Sequence, residues 1–124
     1  MDLIIKDWHS SDMDQFWLWQ PNEEDAINLN IEVSIGRRSL DSSTIFNFAL
    51  LSCDAVSRNA KFESLLFGRG YIIVDPKLYT FALLEKRITN LVDVANTNIA
   101  DSLDAAYRFI DHYIIWEYSS IATL

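Results

Sequence analysis

The side chains of this sequence that could carry chemistry are few, and their spacing matches no catalytic or metal-binding motif. The single cysteine, Cys53, follows an apolar run, where a thiol is usually a small buried hydrophobe. His9 and His112 could each serve as its base, but two histidines and one cysteine at these spacings fit no zinc site. We therefore predict no catalytic residue, no metal and no cofactor. An enzyme that uses Cys53 or a carboxylate pair is the weaker alternative.

The other polar motifs fit ordinary turns and solvated faces. Gly68-Arg69-Gly70 precedes a predicted strand and opens no helix, so it is not a phosphate-binding loop. Asp12 and Asp14 lack the glycine at which a calcium-binding loop turns. Asp111 and His112 are neighbours on a predicted helix, where successive side chains point about 100° apart. We expect Asp111 and His112 to lie on the solvated face of that helix.

The distribution of charge is more informative about function. The 124-residue chain has 18 acidic and 10 basic residues and a net charge of −8. Seven of the acids lie between Asp7 and Ser34, a stretch with no Lys or Arg, and Phe16, Trp17 and Trp19 lie among them. Charge steers an encounter and buried aromatic side chains anchor it. We therefore predict a surface for a basic partner, formed by Asp12, Asp14, Trp17, Trp19, Glu23, Glu24 and Asp25.

The same features leave one alternative open and exclude several partners. In the alternative, Trp17 and Trp19 pack under the sheet and the acids only solvate the loop. An acidic chain is a poor ligand for nucleic acid and is repelled by anionic lipid, and no apolar stretch is long enough for a membrane span. One cysteine cannot form an internal disulfide, and the acidic start does not resemble a secretory signal. We therefore expect no nucleic acid, no membrane and a cytoplasmic location.

Hydrophobic periodicity predicts strands in the first part of the chain. A short strand is predicted over Leu3–Trp8, and strict alternation over Ile27–Gly36 places five apolar side chains on one face of the next strand. Ser43–Ser52 is apolar almost throughout, which favours a central strand. A brief strand follows over Tyr71–Val74. Gln15–Gln20 is predicted as a loop or extended segment because it ends at a proline.

Two helices are predicted in the last part of the chain. Asp75 and Pro76 fit the N-cap and first position of a helix that breaks at Asn96–Asn98, and Asn98 or Asp101 fits the N-cap of a second helix. A shorter helix is predicted around Asp54–Leu66. The apolar stripe of the first C-terminal helix comprises Phe81, Leu84, Ile88, Leu91, Val92 and Ala95, and that of the second comprises Leu103, Ala106, Tyr107, Ile110 and Ile114.

This order of elements, with strands first and helices last, is typical of an α+β fold. We expect one domain over residues 1–124, with an antiparallel sheet of three to four strands and two C-terminal helices packed on one face. A monomer or weak homo-oligomer is expected.

Short motifs follow one another along nearly the whole chain in a recognisable order. They are Trp8-His9-Ser10-Ser11-Asp12, a Pro-bearing acidic loop, Ile35-Gly36, the Ser43–Phe48 strand, Gly68-x-Gly70-Tyr71-Ile72-Ile73-Val74 and Trp116-Glu117-Tyr118. This pattern resembles the Immunity protein 8 family, cytosolic immunity proteins of contact-dependent inhibition and related polymorphic toxin systems. Trp17-Leu18-Trp19 and Cys53–Phe67 depart from the pattern.

The resemblance implies a protein that binds and does not catalyse. Its partner would be a cognate toxin domain delivered by a neighbouring bacterium, and such toxins are often nucleases with basic substrate sites. An acidic inhibitor fits such a site by charge complementarity. The family has no catalytic motif to carry over, so the predicted site depends on charge and aromatic content. The alternative is an acidic regulatory or assembly subunit for another basic protein.

Overall fold

The computed structural model describes residues 1–52, 70–99 and 102–119. Within these ranges the elements are β1 (Leu3–Ser10), a 3-10 turn (Phe16–Leu18), β2 (Asn28–Arg37), β3 (Thr44–Ser52), β4 (Tyr71–Val74), α1 (Phe81–Asn98), α2 (Leu103–Asp111) and β5 (Ile115–Trp116). The α+β class is confirmed. The predicted helix around 54–66, together with Cys53, Gly68 and Arg69, lies outside the described residues.

The strands form one sheet in the order β1-β2-β3-β4, with β5 also paired to β3. The pairs β1–β2 and β2–β3 are antiparallel, as predicted, and β5, a fifth strand that the sequence analysis did not predict, also pairs antiparallel with β3. In contrast, β4 pairs with β3 in parallel. Because β2 lies on one side of β3 and β4 and β5 lie on the other, the central position predicted for β3 is confirmed.

The core forms between the apolar face of the sheet and the apolar stripes of the two helices. Alternate residues of β2 are buried while Asn28 and Asn30 are exposed, so one face of this strand points to the helices. Leu84, Ile88, Val92 and Ala95 of α1 and Ala106, Tyr107 and Ile110 of α2 join the same buried cluster. Ile114 is also buried, although it lies beyond the end of α2. Both helices therefore pack on one face of the sheet.

The first helix begins later than the sequence predicts. Thr80 is the N-cap of α1, and its hydroxyl accepts a hydrogen bond of 3.2 Å from a backbone N–H in the first turn. The carboxylate of Asp75 instead accepts a hydrogen bond of 3.0 Å from the backbone N–H of Lys77. The prediction of Asp75 and Pro76 as the helix start was therefore wrong, because the same residue types also close a turn.

The junction between the helices also differs from the prediction. Asn96 does not break α1, which continues through Asn98. Its side-chain amide accepts a hydrogen bond of 2.8 Å from the Leu3 N–H and donates one of 2.9 Å to the Leu3 carbonyl oxygen. The side chain therefore pairs with the edge of β1 and does not compete with the helix backbone. The N-cap of α2 is Ser102 and not Asn98, and the other predicted N-cap, Asp101, lies outside the described residues.

Asp111 does not lie on a solvated face, so that prediction was wrong. It is 2% exposed, and its carboxylate accepts hydrogen bonds from the Trp116 backbone N–H (2.9 Å) and the Ser119 hydroxyl (2.7 Å). A buried carboxylate requires such donors. Asp111 thereby holds the C-terminal segment that adds β5 to β3, whereas His112 is exposed as expected.

Replacing Asp111 is expected to destabilise the fold. Asp111→Ala leaves buried donors without their acceptor and should lower the free energy of unfolding by about 2–3 kcal/mol. The matched control is Asp104→Ala, because Asp104 is exposed and forms a surface ion pair with Arg108 one helical turn away. The control should change stability by less than about 0.5 kcal/mol. Urea unfolding measures both, and equal losses would contradict the role assigned to Asp111.

Two buried phenols should make stability depend on alkaline pH. Burial raises the pKa of Tyr79 and of Tyr107 above the ordinary value of 10.0. The unfolded chain therefore loses these protons first, and stability present below about pH 10 should fall as the pH rises further. The Tyr79 hydroxyl has no hydrogen-bond partner among the described residues.

Tyr79→Phe removes one of these phenols together with its unsatisfied hydroxyl. We expect the variant to be as stable as the parent at neutral pH, or more stable by up to about 1 kcal/mol, and to lose less stability in alkali. Urea unfolding at neutral pH and at about pH 11 tests both expectations. A clear loss of stability at neutral pH would mean that the hydroxyl has a stabilising partner.

Candidate partner-binding surface

All seven predicted site residues lie in the connection between β1 and β2, residues 11–27, which we call the acidic loop. Its main anchor is Phe16, which is completely buried. The ring of Phe16 packs edge-on against Trp8 and Phe81, with centroid distances of 6.2 and 5.6 Å. The predicted loop thus contains one turn of 3-10 helix, and it is fixed to the start of α1.

The two tryptophans of the acidic loop are placed differently. Trp19 is half-buried and packs against Tyr79 at a centroid distance of 6.1 Å. The neighbouring Gln20 donates a hydrogen bond of 2.6 Å from Nε2 to the Tyr79 carbonyl oxygen. Trp17 remains 38% exposed, with its ring 5.8 Å from that of Phe16. Of the two indoles, Trp17 offers more surface to a partner.

Two acids of the loop bind its own backbone. The Asp12 carboxylate accepts a hydrogen bond of 2.7 Å from the Asn30 N–H, and that of Asp25 accepts one of 2.8 Å from the Asn22 N–H. The Ser10 hydroxyl adds a 2.7 Å bond to the Asn30 carbonyl oxygen. These contacts close both ends of the loop, so Asp12 and Asp25 have a structural function that charge counting does not reveal.

The other acids of the predicted site carry uncompensated charge. Asp14, Glu23 and Glu24 are exposed, and none of them has a hydrogen-bond or ion-pair partner among the described residues. Their carboxylates extend a negative potential into solvent, which attracts a basic surface at long range. The loop therefore presents charge on a backbone that is held in place by Phe16, Asp12 and Asp25.

A second surface feature is a groove of about 480 Å³ between β1 and α1. The side chain of Asn96 is hydrogen-bonded to the backbone groups of Leu3 on the free edge of β1. An extra residue at Lys6 also shifts the β1–β2 register. Both features disfavour the pairing of another strand with this edge. A 3.0 Å hydrogen bond from Arg37 lowers the pKa of Asp2, which lines the groove. That shift reflects the ion pair with Arg37 and keeps the carboxylate charged.

Potential metal ligands do not cluster in the described residues. These residues contain no group of three or more His, Cys, Asp or Glu side chains that could hold a metal ion. Both candidate bases, His9 and His112, are exposed. In these same ranges, no helix combines the length and apolar character needed to cross a membrane.

Comparison with known families covers nearly the whole chain. The model of the family described as Immunity protein 8 matches residues 3–120. The chain belongs to the Immunity protein 8 family. This confirms the resemblance and implies an immunity protein of a polymorphic toxin system, which binds a cognate toxin. Neither the search of curated proteins nor that of solved structures found a significant match.

The two indoles of this immunity protein should contribute unequally to stability. Trp19→Ala removes a half-buried ring that packs on Tyr79 and should lower the free energy of unfolding by about 2 kcal/mol. Trp17→Ala removes the more exposed ring and should lower it by less than about 1 kcal/mol. Chemical denaturation of both variants measures the difference. Equal losses would show that Trp17 is as much a part of the core as Trp19.

Proposed function

We propose that this protein is a cytoplasmic immunity protein that neutralises a nuclease toxin domain delivered by a neighbouring bacterium, and that it does so by binding without catalysis. The observation that carries the proposal is the uncompensated charge of Asp14, Glu23 and Glu24 beside exposed Trp17 on an anchored loop. We propose that all seven predicted residues of the acidic loop contribute to the toxin-binding surface.

The charge of the loop supports a nuclease as the target. A nuclease holds the phosphate backbone of its substrate with Lys and Arg, so its substrate surface is basic. An acidic surface fits this potential and increases the rate of association, most strongly at low salt. Such an inhibitor competes with the nucleic acid for the same positive surface.

The anchoring of the loop supports tight binding. A mobile loop loses conformational entropy when it binds, whereas a loop already held in place loses little. Burial of Phe16 and the backbone bonds of Asp12 and Asp25 fix the acidic loop before any partner arrives. Trp17 then supplies apolar area on the same loop as the charges. Tryptophan is among the residue types that contribute most of the binding energy in protein interfaces.

Co-expression tests the function directly. Cells that produce the toxin domain encoded next to this gene should survive when they also produce this protein. In vitro, the purified toxin domain should lose its nuclease activity on adding an equimolar amount of the protein. Cell death at the rate seen without the protein would refute the immunity function, and protection from a toxin without nuclease activity would refute the nuclease target.

Charge reversal tests the surface. Glu23→Lys with Glu24→Lys should lower the association rate for the toxin domain by roughly tenfold at low salt, and should change the dissociation rate less. Both side chains are exposed and without described partners, so the fold should persist. Stopped-flow association measured over a range of salt concentrations gives both rates.

A matched control changes the charge by the same amount elsewhere. Asp41 lies in the turn after β2, and Asp93 lies near the end of α1 that contacts Leu3 through Asn96. The acidic loop lies at the opposite end of β1 and β2. Asp41→Lys with Asp93→Lys should therefore leave the association rate within about twofold of the parent. Equal effects of the two double variants would mean that only net charge matters.

A further inference from the structure

We propose that the toxin-binding surface extends from the acidic loop onto an apolar patch formed by Leu18, Leu78 and Leu83, and that this patch receives an apolar side chain of the toxin. The inference rests on the proposed function and adds two residues from outside the loop. Leu78 precedes α1 and Leu83 lies in its first turn, and neither belongs to the apolar stripe that the sequence predicts.

The three leucines are unusually exposed. Their exposed fractions are 73% for Leu18, 70% for Leu78 and 57% for Leu83. A single exposed leucine is common on protein surfaces, whereas a group of them on adjoining segments marks an interaction site. Contiguity therefore decides whether these side chains form a patch.

Direct contacts hold the segments of the patch together. Trp19 packs on Tyr79, and Gln20 donates its hydrogen bond to the carbonyl oxygen of the same residue. Leu18 precedes this contact on one segment and Leu78 precedes it on the other. The segment that carries Leu18 and the turn that carries Leu78 therefore adjoin each other, and the first of them is part of the acidic loop.

Leu78, Tyr79 and Leu83 also line a groove of about 170 Å³, whose other lining residues are Ile72, Val74, Asp75, Leu84 and Arg87. An enclosed cavity of about 150 Å³ lined by apolar side chains holds benzene. The groove is therefore large enough for one side chain of the size of leucine or phenylalanine, and most of its lining is apolar.

The charged residues near the groove indicate what kind of partner binds there. Interfaces combine an apolar centre with a polar rim. Asp75 and Arg87 border the groove with opposite charges, and Glu23, Glu24 and Asp14 add three negative charges on the adjoining loop. A basic toxin domain with one protruding apolar side chain complements both parts. A second copy of this chain is disfavoured, because a symmetric contact would bring two acidic loops together.

Replacing the leucines with glutamine tests the patch. Leu78→Gln with Leu83→Gln should increase the dissociation rate of the adjacent-gene toxin domain and weaken Kd by about tenfold or more, without altering the dependence of the association rate on salt. The control is Leu40→Gln with Val94→Gln, two side chains that are 47% and 42% exposed and lie away from the acidic loop. The control should stay within about twofold of the parent Kd.

Each outcome decides between the proposals. If the parent protein binds the toxin and the Leu78/Leu83 variant binds it equally well, with circular dichroism showing both folded, the patch is wrong and the immunity function stands. If the parent protein does not bind the toxin, the proposed function itself fails. If analytical ultracentrifugation shows that the parent is a dimer that the leucine variant abolishes, the patch is a self-association surface and the assignment to the toxin is overturned.

Discussion

Burial of Phe16 between Trp8 and Phe81 is the interaction on which the proposed toxin-binding surface depends. Repulsion among the carboxylates of the acidic loop and their solvation would otherwise favour conformations in which the loop extends into solvent. The buried ring fixes the middle of the loop to the junction of β1 and α1, and the Trp19–Tyr79 contact fixes the following residues. Charge then remains on the exposed side of a defined backbone. The fold thus gives the excess of acidic residues in this segment a defined position on the surface.

Five carboxylates of this protein illustrate three roles that composition does not distinguish. Asp111 is buried and holds the C-terminal segment. Asp12 and Asp25 accept backbone hydrogen bonds that close the acidic loop. Glu23 and Glu24 face solvent without a described partner, which makes them available to a basic protein. Only acids of the third kind can be reversed without an expected effect on folding, because the others satisfy buried or backbone donors.

Under the proposed function, the unbalanced charge of this member of the Immunity protein 8 family serves the recognition of a basic toxin. An immunity protein must recognise one toxin quickly, and long-range attraction raises the encounter rate before any contact is made. Charge alone gives little specificity, because many basic proteins would be attracted. An apolar patch beside the charges, which includes Leu78 and Leu83, would supply the short-range selection that charge lacks.

The sequence by itself determined the fold class, the strands β2 and β3, and the buried stripes of both helices, because periods of two and 3.6 residues directly report which side chains face a core. It also determined where the negative charge lies. Tertiary structure alone decided that α1 begins after Thr80, that Asp111 is buried, and that Tyr79 contacts the acidic loop. Turns, caps and buried acids use the same residue types as solvated segments, so only their distant partners distinguish them. Those partners are separated along the chain and are brought together only by folding.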